Sequence, residues 1–103
     1  MIASSGSGRT AIVVNIAERA REFGAKVAAI TSNRESPLGM LADHLTIIPG
    51  ESIKVSENTY SRLPMANALE QTLLIFLDSI VAFLTGQKNE TNESMMKRHA
   101  NLE

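Results

Sequence analysis

No cysteine occurs in the 103 residues, which excludes disulfides and thiolate metal sites and leaves the redox compartment open. Neither sign of charge is in excess. Ten Lys and Arg against eleven Asp and Glu leave a net charge of −1, without the basic footprint of a nucleic-acid-binding surface. The longest apolar run, Leu73 to Leu84, is too short to read as a membrane span and carries Asp78. Met1-Ile2-Ala3 is too short an apolar opening for a signal peptide. The expected location is therefore the cytoplasm, and the sequons at Asn89 and Asn92 read as chance. No internal repeat is visible, and no residue cluster calls for a metal or a cofactor.

The composition is that of an ordinary globular protein, with 44% hydrophobic and 20% charged residues. A chain this size buries roughly two-thirds of its unfolded surface, enough for one core and one domain.

The elements alternate. Met1 to Ala3 reads as the end of a buried strand. Val13, Ile16, Ala17, Ala20 and Phe23 mark one face of a helix that starts at Ala11 and ends near Gly24. The apolar run Val27-Ala28-Ala29-Ile30 suits a parallel strand covered on both faces. Ser36-Pro37 opens a short helix that ends about Asp43. His44 to Ile48 is a third strand, closed by Pro49-Gly50. This order predicts an α/β fold with right-handed crossovers and a parallel sheet. Glu51 to Arg62 reads as a polar loop. Met65, Leu69, Leu73, Phe76, Ile80 and Leu84 predict a long helix over about residues 64–85. Its apolar stripe is a candidate oligomer interface through a helix bundle. Gly86 to Glu93 is a polar linker. The tail, 94–103, opens on a short helix in which Met95 and Met96 are expected to pack.

The densest chemistry lies at the start. Ser4-Ser5-Gly6-Ser7-Gly8-Arg9-Thr10 places hydroxyls and two glycines against the N-terminus of the first helix. Backbone N–H groups there are unpaired, the helix dipole adds partial positive charge, and glycine permits close approach. The predicted ligand is a phosphate group. The same residue types also favour ordinary turns and caps. Arg9 is read as pointing to solvent and His44 as structural. Gly6-x-Gly8-x-x-Ala11 also fits a loose dinucleotide-binding pattern. However, the second strand ends in Ile30-Thr31-Ser32-Asn33 with no acid placed for a ribose.

Ser5-Gly6-Ser7-Gly8-x-Thr10, Gly24-Ala25-Lys26-Val27, Ile30-Thr31-Ser32-Asn33, Ser36-Pro37-Leu38 and Leu41-Ala42-Asp43 together resemble the sugar isomerase (SIS) domain. The closing Met96-Lys97-Arg98-His99-Ala100-Asn101-Leu102-Glu103, with Leu77-Asp78, resembles the 6-phospho-3-hexuloisomerases. The resemblance implies a three-layer, flavodoxin-like fold, truncated at its N-terminus, with 1–103 forming the C-terminal portion of one SIS domain. It implies isomerisation of hexulose 6-phosphate to fructose 6-phosphate, in the ribulose monophosphate route of formaldehyde fixation. A phosphorylated sugar and a homo-oligomer, dimer or tetramer, are the implied partners, with no nucleic acid, membrane, metal or cofactor. The family's first glycine/serine-rich loop is expected to be absent, and with it one wall of the crevice and the neighbour of the first strand.

The resemblance also assigns roles. Ser5, Gly6, Ser7, Gly8 and Thr10 match the family's phosphate loop, whereas Ser4 and Arg9 depart from its pattern. Glu70 matches the glutamate used as base, and partial burial on its helix is expected to raise its basicity. Its plain alternative is a solvated helix residue. His99 matches the histidine of the closing motif and would move a proton or polarise an oxygen; beside Lys97 and Arg98 it also reads as part of a solvated basic tail. Ser32 and Asn33 are candidate substrate contacts. The competing functions are a non-catalytic sugar-phosphate-binding module, a dinucleotide-binding fragment and an inactive oligomerising remnant.

Overall fold

The computed structural model of the chain describes residues 1–49 and 67–99, in two compact units, Met1–Leu73 and Leu74–Glu103. In the first unit β1 (Ile2–Ser4), α1 (Ala11–Glu22), β2 (Ala28–Thr31), α2 (Pro37–Leu41) and β3 (His44–Ile47) follow one another. The strands form one parallel sheet in the order β1-β2-β3, with Ile2 opposite Ala28 and Ala28 opposite His44. Both crossovers carry a helix, as parallel neighbours require.

Small residues let the layers close up. Ala3, Ala17, Val27, Ala29 and Leu38 form the buried cluster between one sheet face and the two helices, with Val13, Val14 and Leu45 against it. Ile30 and Ile48, of the opposite side-chain parity, are also buried, so the sheet is covered on both faces at β2 and β3. The core face of α1 differs from the expected one. Val13, Val14 and Ala17 point inward, while Ile16 and Phe23 are exposed. Periodicity alone cannot separate two apolar stripes on one helix. α1 closes where expected, with Gly24 at φ +79° donating its N–H to Arg21 O.

At the lower end of the sheet one carboxylate fastens two strands. Asp43 Oδ2 accepts from Val27 N at 2.8 Å, and Oδ1 meets Lys26 Nζ at 3.1 Å. The Val27 N–H bond, then Lys26, hold its pKa below the ordinary aspartate value. A folded pKa lowered in this way adds stability above the unfolded pKa of about 4, lost as pH falls through the folded value. Asp43→Asn should therefore lower the urea midpoint at pH 7, and the gap to wild type should narrow as the pH falls below about 4.

α3 (Asn67–Gln87) begins in the first unit and continues into the second, where α4 (Asn92–Met96) follows. The expected loop at 51–62 and the expected helix start at 64–66 lie outside the described residues, as does the end of the tail beyond His99. α4 begins two residues earlier than expected because Thr91 and Ser94 form a reciprocal capping box. Glu90 takes hydrogen bonds from Arg98 and Ser94, which lower its pKa. Met95 and Met96, expected to pack, are exposed. So are Leu74, Ile75, Val81 and Phe83 on α3.

The hydroxyls of Thr72, Ser79 and Thr85 each donate to the carbonyl four residues back, which withdraws them from the helix surface. Ala68–Gln87 is long and apolar enough, by length and composition, to cross a membrane. The shorter run Leu73–Leu84 did not show this, because Ala68, Leu69 and Gly86 extend it at both ends. Asp78 sits mid-helix, and a carboxylate there is costly in a bilayer.

Candidate functional site

The expected phosphate loop is the turn from β1 into α1. Ser5 ends the strand region, nearly buried, and its Oγ lies 2.9 Å from Thr10 Oγ1. Gly8 N donates to both Ser5 O and Ser5 Oγ, at 3.0 and 3.1 Å. Arg9 N donates to Ser7 Oγ at 3.2 Å. Thr10 is the N-cap of α1, yet its side chain makes no cap hydrogen bond, and the first turn holds no acidic residue. The first N–H groups of a helix have no partner within it. The turn therefore keeps donors and partial positive charge available to an anion. All five loop residues, Ser5, Gly6, Ser7, Gly8 and Thr10, lie in this one turn. Arg9 is exposed, as expected.

A second loop, from β2 into α2, holds the first in place. Gly6 O accepts from Ser32 N at 3.1 Å, Ser32 Oγ at 2.6 Å and Thr31 Oγ1 at 3.1 Å. Leu38 N donates to Gly8 O at 3.1 Å. Ser36 Oγ donates to Asn33 O at 2.6 Å and accepts from Gly39 N at 3.1 Å, capping α2. Gly8 has φ +63°, and a Cβ on it would overlap the Ser36 side chain. Thr31 and Ser36 are fully buried. Thr31 shares the lacing between the loops with Ser32 and Leu38, Ser36 packs under Gly8, and sequence reasoning gave neither Thr31 nor Ser36 a role in the site. The one signal was their position, at a strand's C-terminal end and at a helix cap. Ser32 and Asn33 belong to this second loop, on the same edge of the sheet as the phosphate loop.

Glu70 lies in the first turn of α3, where a carboxylate is favoured by the helix dipole. It is exposed, so the burial expected from its apolar neighbours is not met. Those neighbours face elsewhere; Leu69, one residue earlier, is the buried one, and a Cβ at Gly6 would lie 3.5 Å from it. This brings the start of α3 to the phosphate loop. His99 follows α4 in the second unit, exposed, with its backbone N–H on Met96 O. His44 opens β3 at the opposite end of the sheet and is exposed. Among the described residues no cluster of His, Asp and Glu fits a metal ion.

This arrangement has known counterparts. A family model described as the SIS domain matches residues 1–75. A 3-hexulose-6-phosphate isomerase of Bacillus subtilis is 38% identical over 104 residues, covering 100% of this chain and 56% of the relative. A protein of the same name from Mycobacterium gastri is 37% identical, covering 100% of this chain and 52% of the relative. The crystal structure of a hypothetical protein from Methanococcus jannaschii, described as inferring a molecular function of 3-hexulose-6-phosphate isomerase, superposes with a TM-score of 0.76 at 35% identity. The match covers 99% of this chain and 53% of that one. A second crystal structure of a hypothetical protein gives a TM-score of 0.84 at 37% identity over 98% of this chain and 54% of that one. The chain spans about half the length of the curated relatives it matches.

Proposed function

Because the chain belongs to the SIS domain family, we propose that it handles a sugar phosphate as an isomerase of the 6-phospho-3-hexuloisomerase type. The reaction converts hexulose 6-phosphate to fructose 6-phosphate, the step that serves formaldehyde fixation through ribulose monophosphate. The observation that carries this reading is the turn at Ser5–Thr10, which offers uncapped helix donors and hydroxyls at the mouth of a parallel sheet. The names of the relatives support the same chemistry.

In this reading the phosphate rests on Ser5, Gly6, Ser7, Gly8 and Thr10. Glu70 takes a proton from the carbon beside the keto group, an enediol spans the two carbons, and the proton returns to the former keto carbon. His99 shuttles the hydroxyl proton between the two oxygens. No cofactor or metal enters this proton chemistry. A phosphorylated sugar is charged and does not cross membranes unaided, which fits a reaction in the cytoplasm.

The long apolar helix serves a homo-oligomer. α3 exposes large aliphatic side chains and turns its hydroxyls back on its own backbone, leaving a surface suited to packing against another helix.

The exposure of Glu70 favours a second reading, a module that binds sugar phosphate without turning it over. Both readings need the phosphate loop. Ser7→Ala with Thr10→Ala should weaken fructose 6-phosphate binding about tenfold or more by calorimetric titration, the loss of two hydrogen bonds to a charged group. An unchanged affinity would refute the loop as the anion site.

A further inference from the structure

The turn from β1 into α1 owes the direction of its N–H groups to the loop beside it. In a trans peptide the C=O and the following N–H point opposite ways, and no cis bond occurs among the described residues. Two carbonyls of the turn are held by the loop from β2 into α2. Gly6 O accepts from Thr31 Oγ1, Ser32 Oγ and Ser32 N, and Gly8 O accepts from Leu38 N. The peptides are thereby oriented so that the N–H groups of Ser7 and Arg9 point away from the second loop. Arg9 N meets Ser7 Oγ at 3.2 Å. Ser7 Oγ accepts that bond, so its own proton is left to donate. Ser7 N meets no acceptor among the described residues.

This orientation matters to an anion. If the Gly6–Ser7 peptide turned over, the partial negative charge of Gly6 O would stand where the Ser7 N–H now points, and it would repel a phosphate. Glycine offers little resistance to such a rotation, because it has no Cβ to restrict its backbone angles. The three bonds on Gly6 O oppose it. Ser32 Oγ makes the shortest, at 2.6 Å. Thr31 Oγ1 is shared, since it also accepts from Asn33 N at 3.2 Å. The Ser32 hydroxyl has one proton and commits it to Gly6 O, so it holds none for a ligand.

We infer that Ser32 is a positioning residue for the anion: its hydroxyl, through Gly6 O, keeps the Gly6–Ser7 peptide turned so that Ser7 N–H is presented to a phosphate, and it acts without touching the sugar. The inference rests on the proposed reading of Ser5–Thr10 as the phosphate turn. A donor aligned before the ligand arrives costs no reordering on binding, which is what preorganisation contributes to affinity. Losing Ser32 Oγ leaves Thr31 Oγ1 and Ser32 N on the carbonyl. The turn therefore stays folded, and its alignment is what suffers.

Nuclear magnetic resonance titrations with two probes, inorganic phosphate and fructose 6-phosphate, test this. Ser32→Ala should weaken both by the same factor, about fivefold, which is part of the worth of one N–H bond to a charged group. The Ser7 amide proton should move downfield on adding inorganic phosphate to the wild type, and move less in Ser32→Ala. Ser32→Thr keeps the hydroxyl and should stay within about twofold of wild type. Asp43→Asn, at the other end of the sheet, is the control for lost stability alone, and both affinities should be unchanged in it. A Ser32→Ala protein that binds both probes as the wild type does would overturn the inference. So would a loss confined to fructose 6-phosphate, which would make Ser32 a contact of the sugar itself. Equal losses in Ser32→Ala and Asp43→Asn, or a Ser7 amide that does not respond to inorganic phosphate, would overturn it too. A wild-type chain that binds neither probe would instead refute the phosphate turn, and the role of Ser32 with it.

Discussion

Glu70→Gln is expected to abolish isomerisation of hexulose 6-phosphate while fructose 6-phosphate still binds. The substitution keeps size and hydrogen-bonding reach and removes only the ability to hold a proton. General-base catalysis contributes about 10²–10⁴-fold, so turnover should fall by that factor with the titrated affinity within about twofold of wild type. The position gives the test its force. Glu70 is exposed near the N-terminal end of α3, one residue from the buried Leu69. Its removal leaves the core untouched, and the melting temperature should hold. A wild-type chain that binds the sugar phosphate without turnover would support the binding-module reading, and a mutant as active as wild type would remove Glu70 from the chemistry. The corresponding His99→Gln variant separates proton shuttling from a tail role in the same assay.

Gly8→Ala is the most damaging single change expected in the first unit. Two costs add. A residue with a Cβ is strained at φ +63°, and here the Cβ would also overlap Ser36. Left-handed strain and overpacking each cost about 1–3 kcal/mol, so a loss of about 3 kcal/mol or more is expected. Ser36 cannot give way cheaply, because its hydroxyl joins Asn33 O to Gly39 N at the cap of α2. The change should also weaken sugar-phosphate binding, since relief of the overlap displaces the loop that carries Ser7 and Thr10. Ser36→Gly in the Gly8→Ala background should recover part of the stability, as the clash partner is removed while the cap is largely kept. Thermal unfolding of the single and double variants checks both statements. A Gly8→Ala protein as stable as wild type would mean that the two loops are not packed as described.

Alternation of short apolar runs with capped helical segments was enough to read the first unit. Ser36-Pro37 and Gly24 are local signals with local causes, and they fell where the helices start and stop. The turn from β1 into α1 was legible for the same reason, since hydroxyls and glycines before a helix act through backbone geometry close by. What the sequence hid depends on tertiary neighbours. Ile16 and Phe23 share the helical period of Ala17, and only the placement of the sheet shows that they face outward. Glu70 stands among apolar residues in sequence, yet the helix turns Leu69 inward and leaves the carboxylate in water. Thr31 and Ser36 look like ordinary strand-end and cap residues until the first loop is packed against them. Met95 and Met96 have the composition of a packing pair without a described partner to pack on.

The threefold grip on Gly6 O bears on what this site is able to distinguish. A carbonyl held by Thr31 and twice by Ser32 is already frozen before any ligand arrives. If the proposed anion docks there, little ordering of the chain is required, so association through this turn should be fast and nearly indifferent to which molecule carries the anionic group. On the proposed reading, choice among sugars would then be exercised by residues outside the turn, acting on the carbon skeleton rather than on its charged end.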